Sequence, residues 1–79
     1  MTAGAGGTET TGLVTTIVKV RNFGFVRSPA FEQDIFFHRD AVEDLHDWEE
    51  MCSHSGMEVS LTVVPTDKGL RGLRVRRRG

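Results

Sequence analysis

The chain has little with which to hold itself together covalently or to enter a membrane. One cysteine, Cys52, stands in 79 residues. An internal disulfide is excluded, and a reducing compartment, the cytoplasm, is the expected location. No long apolar run occurs, and mean hydropathy is −0.26. A spanning helix needs about 20 predominantly apolar residues, so no membrane partner is expected. Met1 to Thr11 carries no basic cluster and no apolar stretch, and does not read as a signal peptide. No glycine-rich loop ending in Gly-Lys is present to cradle a nucleotide phosphate. Neither sign of charge is in excess: 10 Lys and Arg oppose 11 Asp and Glu, for a formal net charge of −1. Total charge therefore does not advertise nucleic-acid binding.

The placement of charge says more. Asp40, Glu43, Asp44, Asp47, Glu49 and Glu50 crowd one stretch, while Lys68, Arg71, Arg74, Arg76, Arg77 and Arg78 crowd the end. Such segregation predicts a dipolar molecule with one basic end, and phosphates respond to local fields. The acidic stretch reads as a solvated helical face. At this length one domain with one small core is expected.

Met1 to Thr11 is rich in Gly, Ala and Thr and reads as a disordered segment, residues 1–11. A domain over 12–76 and a basic tail over 77–79 complete the division. Leu13 to Val20 favours a strand through its β-branched residues. Phe23 to Arg27 is a second strand, with Arg21-Asn22 as a tight connection or bulge, and Asp34 to His38 is a third. Val42, Leu45 and Trp48 recur every third residue, which predicts a short helical turn pinned by those side chains. Ser53-His54-Ser55-Gly56 breaks it. Met57 to Val64 alternates, with Val59, Leu61 and Val63 on one face, and Pro65 is expected to end it. After a turn at Thr66-Asp67-Lys68-Gly69, Leu70 to Arg76 is a fifth strand with Leu73 and Val75 on one face and Arg74 and Arg76 on the other. The expected fold is all-β: a small five-stranded antiparallel barrel, closed so that no sheet edge is exposed.

The most telling segments are Arg21-Asn22-Phe23-Gly24-Phe25-Val26 and Asp34-Ile35-Phe36-Phe37-His38. Alternate strand residues face one side. Phe23 and Phe25 therefore share a face, as do Phe36 and His38. Their alternating neighbours Gly24, Val26, Ile35 and Phe37 already make a credible inward face. Paired strands would present four flat side chains outward, and every nucleic-acid base has a π-face to stack on them. Trp48 reads as a core anchor beneath the helical turn. His46, Cys52 and His54 match no zinc spacing, and no third group orients a Cys-His pair, so neither metal nor enzyme is expected.

These segments resemble the cold-shock domain family, a barrel of the OB type. Its members open with Thr-Gly-Ile-Val-Lys-Trp-Phe-Asn, continue with Lys-Gly-Phe-Gly-Phe-Ile and Asp-Val-Phe-Val-His-Phe, and close with Gly-x-x-Val-x-Phe and a Lys-Gly turn. Matching them here are Thr11-Gly12-Leu13-Val14, Arg21 to Val26, Asp34 to His38, Gly56 to Leu61 and Lys68-Gly69. The resemblance implies stacking by Phe23, Phe25, Phe36 and His38. It implies a core of Val14, Val26, Ile35, Phe37, Val59, Leu61, Val63 and Val75. Thr15-Thr16-Ile17-Val18 replaces the family's Lys-Trp-Phe-Asn, and Arg39 replaces the aromatic after the histidine. The platform is thus a reduced one, with Arg39 able to stack or to pair with phosphate. Lys19, Arg21, Arg27, Arg39, Arg74 and Arg76 are the expected phosphate neutralisers. The expected partner is single-stranded RNA, before DNA, bound by a monomer or weak dimer with no cofactor and no small-molecule substrate. The alternative is a degenerate barrel used for protein–protein contact.

Overall fold

The computed structural model describes residues 7–54 and 56–78. Five strands, β1 (Thr8–Val18), β2 (Phe23–Arg27), β3 (Ile35–His38), β4 (Glu58–Thr66) and β5 (Gly69–Arg77), close in the order β1-β2-β3-β5-β4. A helix, α1 (Leu45–Ser53), and a 3₁₀ turn at Arg39–Ala41 connect β3 to β4. No helix among the described residues is long and apolar enough to cross a membrane.

β1 is long enough to serve two neighbours. Thr8 to Leu13 pair with β4, and Leu13 to Val18 pair with β2. The strand therefore begins at Thr8, inside the segment that composition assigns to disorder; residues 1–6 of that segment lie outside the described residues. Thr8 to Thr11 have no apolar side chain to signal the strand, and ladder hydrogen bonds to β4 hold them instead. At the other end β5 reaches Arg77, and Arg78 N–H donates to Glu58 O at 2.9 Å. The expected tail is thus continuous with the sheet through Arg78, while Gly79 lies outside the described residues.

The barrel is mixed rather than purely antiparallel: β3 and β5 pair in parallel through Phe36 and Arg71. Closing five strands in this order brings the last beside the third, both running the same way. The core holds all eight residues that the resemblance implies, Val14, Val26, Ile35, Phe37, Val59, Leu61, Val63 and Val75, none more than 3% exposed.

Two irregularities decide which residues face out. In β1, Val14 opposes Val26 and Thr16 opposes Phe25, so Thr15 is an extra residue. In β5, Thr62 opposes Leu73 and Ser60 opposes Arg76; the extra residue is accommodated at Arg74, with φ 53°. That bulge separates Leu73 from Val75: Val75 is buried and Leu73 is 38% exposed, contrary to strict alternation. Pro65 lies within β4 opposite Leu70 and does not end it. The β1 ladder stops at Val63, so the proline's missing N–H costs no bond there.

The helical segment also differs from its expected pinning. Val42 and Trp48 are buried as expected, but Leu45 is 58% exposed and Met51 takes the third place. Leu45 opens α1, while Trp48 and Met51 lie one turn apart on its inner face. Asp44 caps the helix by accepting from His46 N–H at 2.9 Å. Trp48 meets Phe37 edge-on at 6.2 Å between ring centroids, which ties the helix to β3.

Candidate nucleic-acid interface

The short β2–β3 pairing places Phe23 opposite His38 and Phe25 opposite Phe36 on the outer face. Gly24 lies between the two β2 rings and faces inward. A Cβ there would sit 2.7 Å from both Thr16 O and Ile17 Cδ1, so only glycine permits this approach of β2 to β1. The three phenylalanines gather with centroids 5.3 to 5.9 Å apart and interplanar angles of 38°, 70° and 86°. They are half-buried rather than freely exposed because they lean on one another. The arrangement is a tilted cluster, offering separate faces rather than one flat plate.

His38 keeps its ring at the end of this cluster through its own backbone turn. Nδ1 accepts from Asp40 N–H at 3.1 Å. In the neutral ring the proton is then on Nε2. The Asp40 carboxylate stands 3.5 Å from Nδ1.

On the β1 side the cluster meets Thr16 opposite Phe25 and Val18 opposite Phe23. The bulge at Thr15 selects these outward residues, and neither is aromatic. On the β5 side the boundary is cationic. Arg71 Cζ stands 5.8 Å from the Phe36 ring centroid. With Lys68, Asp67 and Thr66 it walls a cleft of about 690 Å³ whose apolar side is Phe25, Phe36 and Leu70.

The expected cations divide into two sets. Lys19 and Arg21 lie in a 3₁₀ turn just before Phe23, and Arg39 follows His38. Asn22 ends that turn in the left-handed region at φ 61°, which Asn tolerates, and its carbonyl accepts from Arg39 N–H at 2.7 Å. Among the described residues no carboxylate lies within 4.0 Å of Lys19, Arg21, Arg39, Lys68 or Arg71. Arg27 shares the outer face but meets Asp34 at 3.3 Å. Arg74 and Arg76 do not join the cluster. They line a separate cleft of about 150 Å³ with Glu9, Glu43 and Thr62, and Arg76 faces Glu43 at 3.6 Å.

Lys68 and Arg71 are the residues that sequence reasoning left out of the site. Their signal was the Lys-Gly turn, but their position depends on the β3–β5 pairing. The acidic stretch is likewise not a free solvated face: Arg77 N–H donates to Asp47 at 3.1 Å, and the Arg77 guanidinium lies 3.9 Å from Glu50. His46 and His54 flank the same Glu50 at 4.0 and 3.8 Å. Among the described residues no three His, Cys, Asp or Glu side chains are grouped to hold a metal.

No family model matches the chain, and no curated protein matches it. Solved structures do match. One, a Drosophila structure described as Unr CSD456, superposes with a TM-score of 0.69 at 23% identity, over 95% of this chain and 29% of that one. The chain therefore spans less than a third of that structure's length. The likeness is one of fold: a five-stranded barrel of the cold-shock type.

Proposed function

We propose that the chain binds single-stranded nucleic acid, RNA in preference to DNA, without catalysing a reaction. Bases stack on Phe23, Phe25, Phe36 and His38, while Lys19, Arg21, Arg39, Lys68 and Arg71 neutralise phosphates. By holding the unpaired form, the protein melts weak RNA structure as a chaperone or regulator.

One observation carries this reading. Three rings gathered within 5.9 Å share a barrel face with a histidine, and five nearby cations, Lys19, Arg21, Arg39, Lys68 and Arg71, have no carboxylate partner within 4.0 Å among the described residues. Each stacked base contributes roughly 1–3 kcal/mol, and stacking tolerates every base. The unpaired cations supply the sequence-independent, salt-sensitive part. The barrel's likeness to a cold-shock structure supports the same reading.

The test is a titration of a labelled pyrimidine-rich oligonucleotide, as RNA and as DNA, at two salt concentrations. A Kd below about 10 μM at low salt that rises with salt is the expected result. No binding at low salt, for RNA or DNA, sinks the reading. Equal affinity for both removes the RNA preference alone.

A further inference from the structure

A second cleft, of about 510 Å³, opens where the two 3₁₀ turns meet α1. Lys19, Asn22 and Arg39 form one wall, and Trp48, Glu49 and Cys52 of α1 form the other. Its place follows from the strand register. Asn22 precedes Phe23, Arg39 follows His38, and Phe23 and His38 are directly opposed. The Asn22 to Arg39 backbone bond of 2.7 Å locks the two turns together at that end. The cleft therefore begins where the aromatic cluster stops. At the cluster's other end lies the Lys68–Arg71 cleft.

We infer that α1 is part of the binding surface: a single strand leaving the cluster past Phe23 and His38 enters this cleft, with one nucleotide lodged against α1 and its phosphates facing Lys19 and Arg39. This deepens the reading of the preceding subsection and rests on it. Among the described residues no carboxylate lies within 4.0 Å of Lys19 or Arg39, which line the cleft, so the site keeps positive charge although Glu49 lines it. Most other carboxylates of this stretch are turned elsewhere: Glu43 to Arg76, Asp44 to the His46 amide, Asp47 to the Arg77 amide, Glu50 to Arg77, His46 and His54, while Asp40 stands 3.5 Å from His38 Nδ1. Glu49 opposes an entering phosphate and weakens the site.

The chain supplies its own probes, since its one tryptophan and one cysteine, Trp48 and Cys52, both line this cleft. A pyrimidine-rich oligoribonucleotide is titrated into the intact protein while Trp48 fluorescence and the rate of Cys52 alkylation by N-ethylmaleimide are followed. The expected results are a fluorescence change, at least fivefold slower alkylation at saturation, and about tenfold weaker binding by a Lys19→Ala/Arg39→Ala double variant. The log–log salt dependence of that variant falls by about 1.4, for two lost single-strand phosphate contacts. Glu49→Gln tightens binding two- to threefold. If the oligonucleotide binds yet alkylation, fluorescence and the double variant's affinity stay unchanged, the cleft is no part of the interface, Lys19 and Arg39 drop out as phosphate contacts, and stacking on the rings stands. If the unaltered protein binds no oligonucleotide, the stacking reading fails and the cleft assignment with it.

Discussion

Two surfaces of this small barrel use the same charged residue types to opposite ends. Around the aromatic cluster on β2 and β3, the cations Lys19, Arg21, Arg39, Lys68 and Arg71 have no carboxylate within 4.0 Å among the described residues. Along the join of α1 with β5 and β4, Arg76, Arg77 and Arg78 each face one, in Glu43, Glu50 and Glu58. In sequence the second group looks like the stronger polyanion binder, because it is a run. In space the acidic stretch folds onto it and takes up its field. An arginine's availability to phosphate depends on what the fold places beside it, and a charge run does not reveal that.

The two surfaces share one support. Phe37 is fully buried beneath the cluster, packs within reach of Gly24, and meets Trp48 of α1. Phe37→Ala is expected to cost about 3–5 kcal/mol, as large aromatic deletions from cores do. A domain this small has little margin, so a urea titration should show both surfaces lost in one transition. Loss of α1 alone, with the barrel intact, would show that the two are independent.

A more selective cut separates them. Phe25→Ala with Phe36→Ala should lower oligonucleotide affinity at least about 30-fold, from roughly 1–3 kcal/mol per lost ring. The helical join should stay intact, with far-ultraviolet circular dichroism reporting α1. The converse change extends the cluster. Thr16 stands directly opposite Phe25 on the outer face. Thr16→Trp adds a ring where the resembling family carries one and should tighten binding by roughly 1–3 kcal/mol, the worth of one stacked base. An unchanged affinity would mean that the strand does not cross β1.

Much of the cluster was legible because strand alternation is local. Phe23, Gly24 and Phe25 must alternate whatever else the chain does, and so must Ile35 to His38. Val26, Ile35, Phe37, Val59, Leu61 and Val63 were legible in the core for the same reason, while Val14 and Val75 followed from the family resemblance. What escaped was non-local. The parallel pairing of Phe36 with Arg71 joins residues 35 positions apart, and no short pattern encodes it. The bulges at Thr15 and Arg74 each shift a strand by one residue and so reverse its faces. Strict alternation therefore puts Leu73 on the face of Val75 and gives no sign that Arg71 stands beside Phe36. The docking of Glu43, Asp47 and Glu50 on the last strand was hidden similarly: each half of that join looks solvated until the other is placed.

The smallest expected effect is the sharpest test of the comparison, because it sets two arginines of one strand against each other. Arg71 and Arg76 both lie on the outer side of β5 and are both exposed. Arg71 stands over Phe36 with no carboxylate partner among the described residues, whereas Arg76 faces Glu43 at 3.6 Å. Arg71→Ala removes one phosphate contact and a guanidinium at the ring. Affinity should fall three- to tenfold, and the salt slope by about 0.7. Arg76→Ala removes an exposed ion pair worth at most about 1 kcal/mol of stability. It should leave affinity within twofold, because that charge was already matched. If both variants lose affinity equally and shed the same salt dependence, the polyanion feels the whole strand as one basic edge. The pairing with the acidic stretch would then not shield it, and the division between the two surfaces would dissolve.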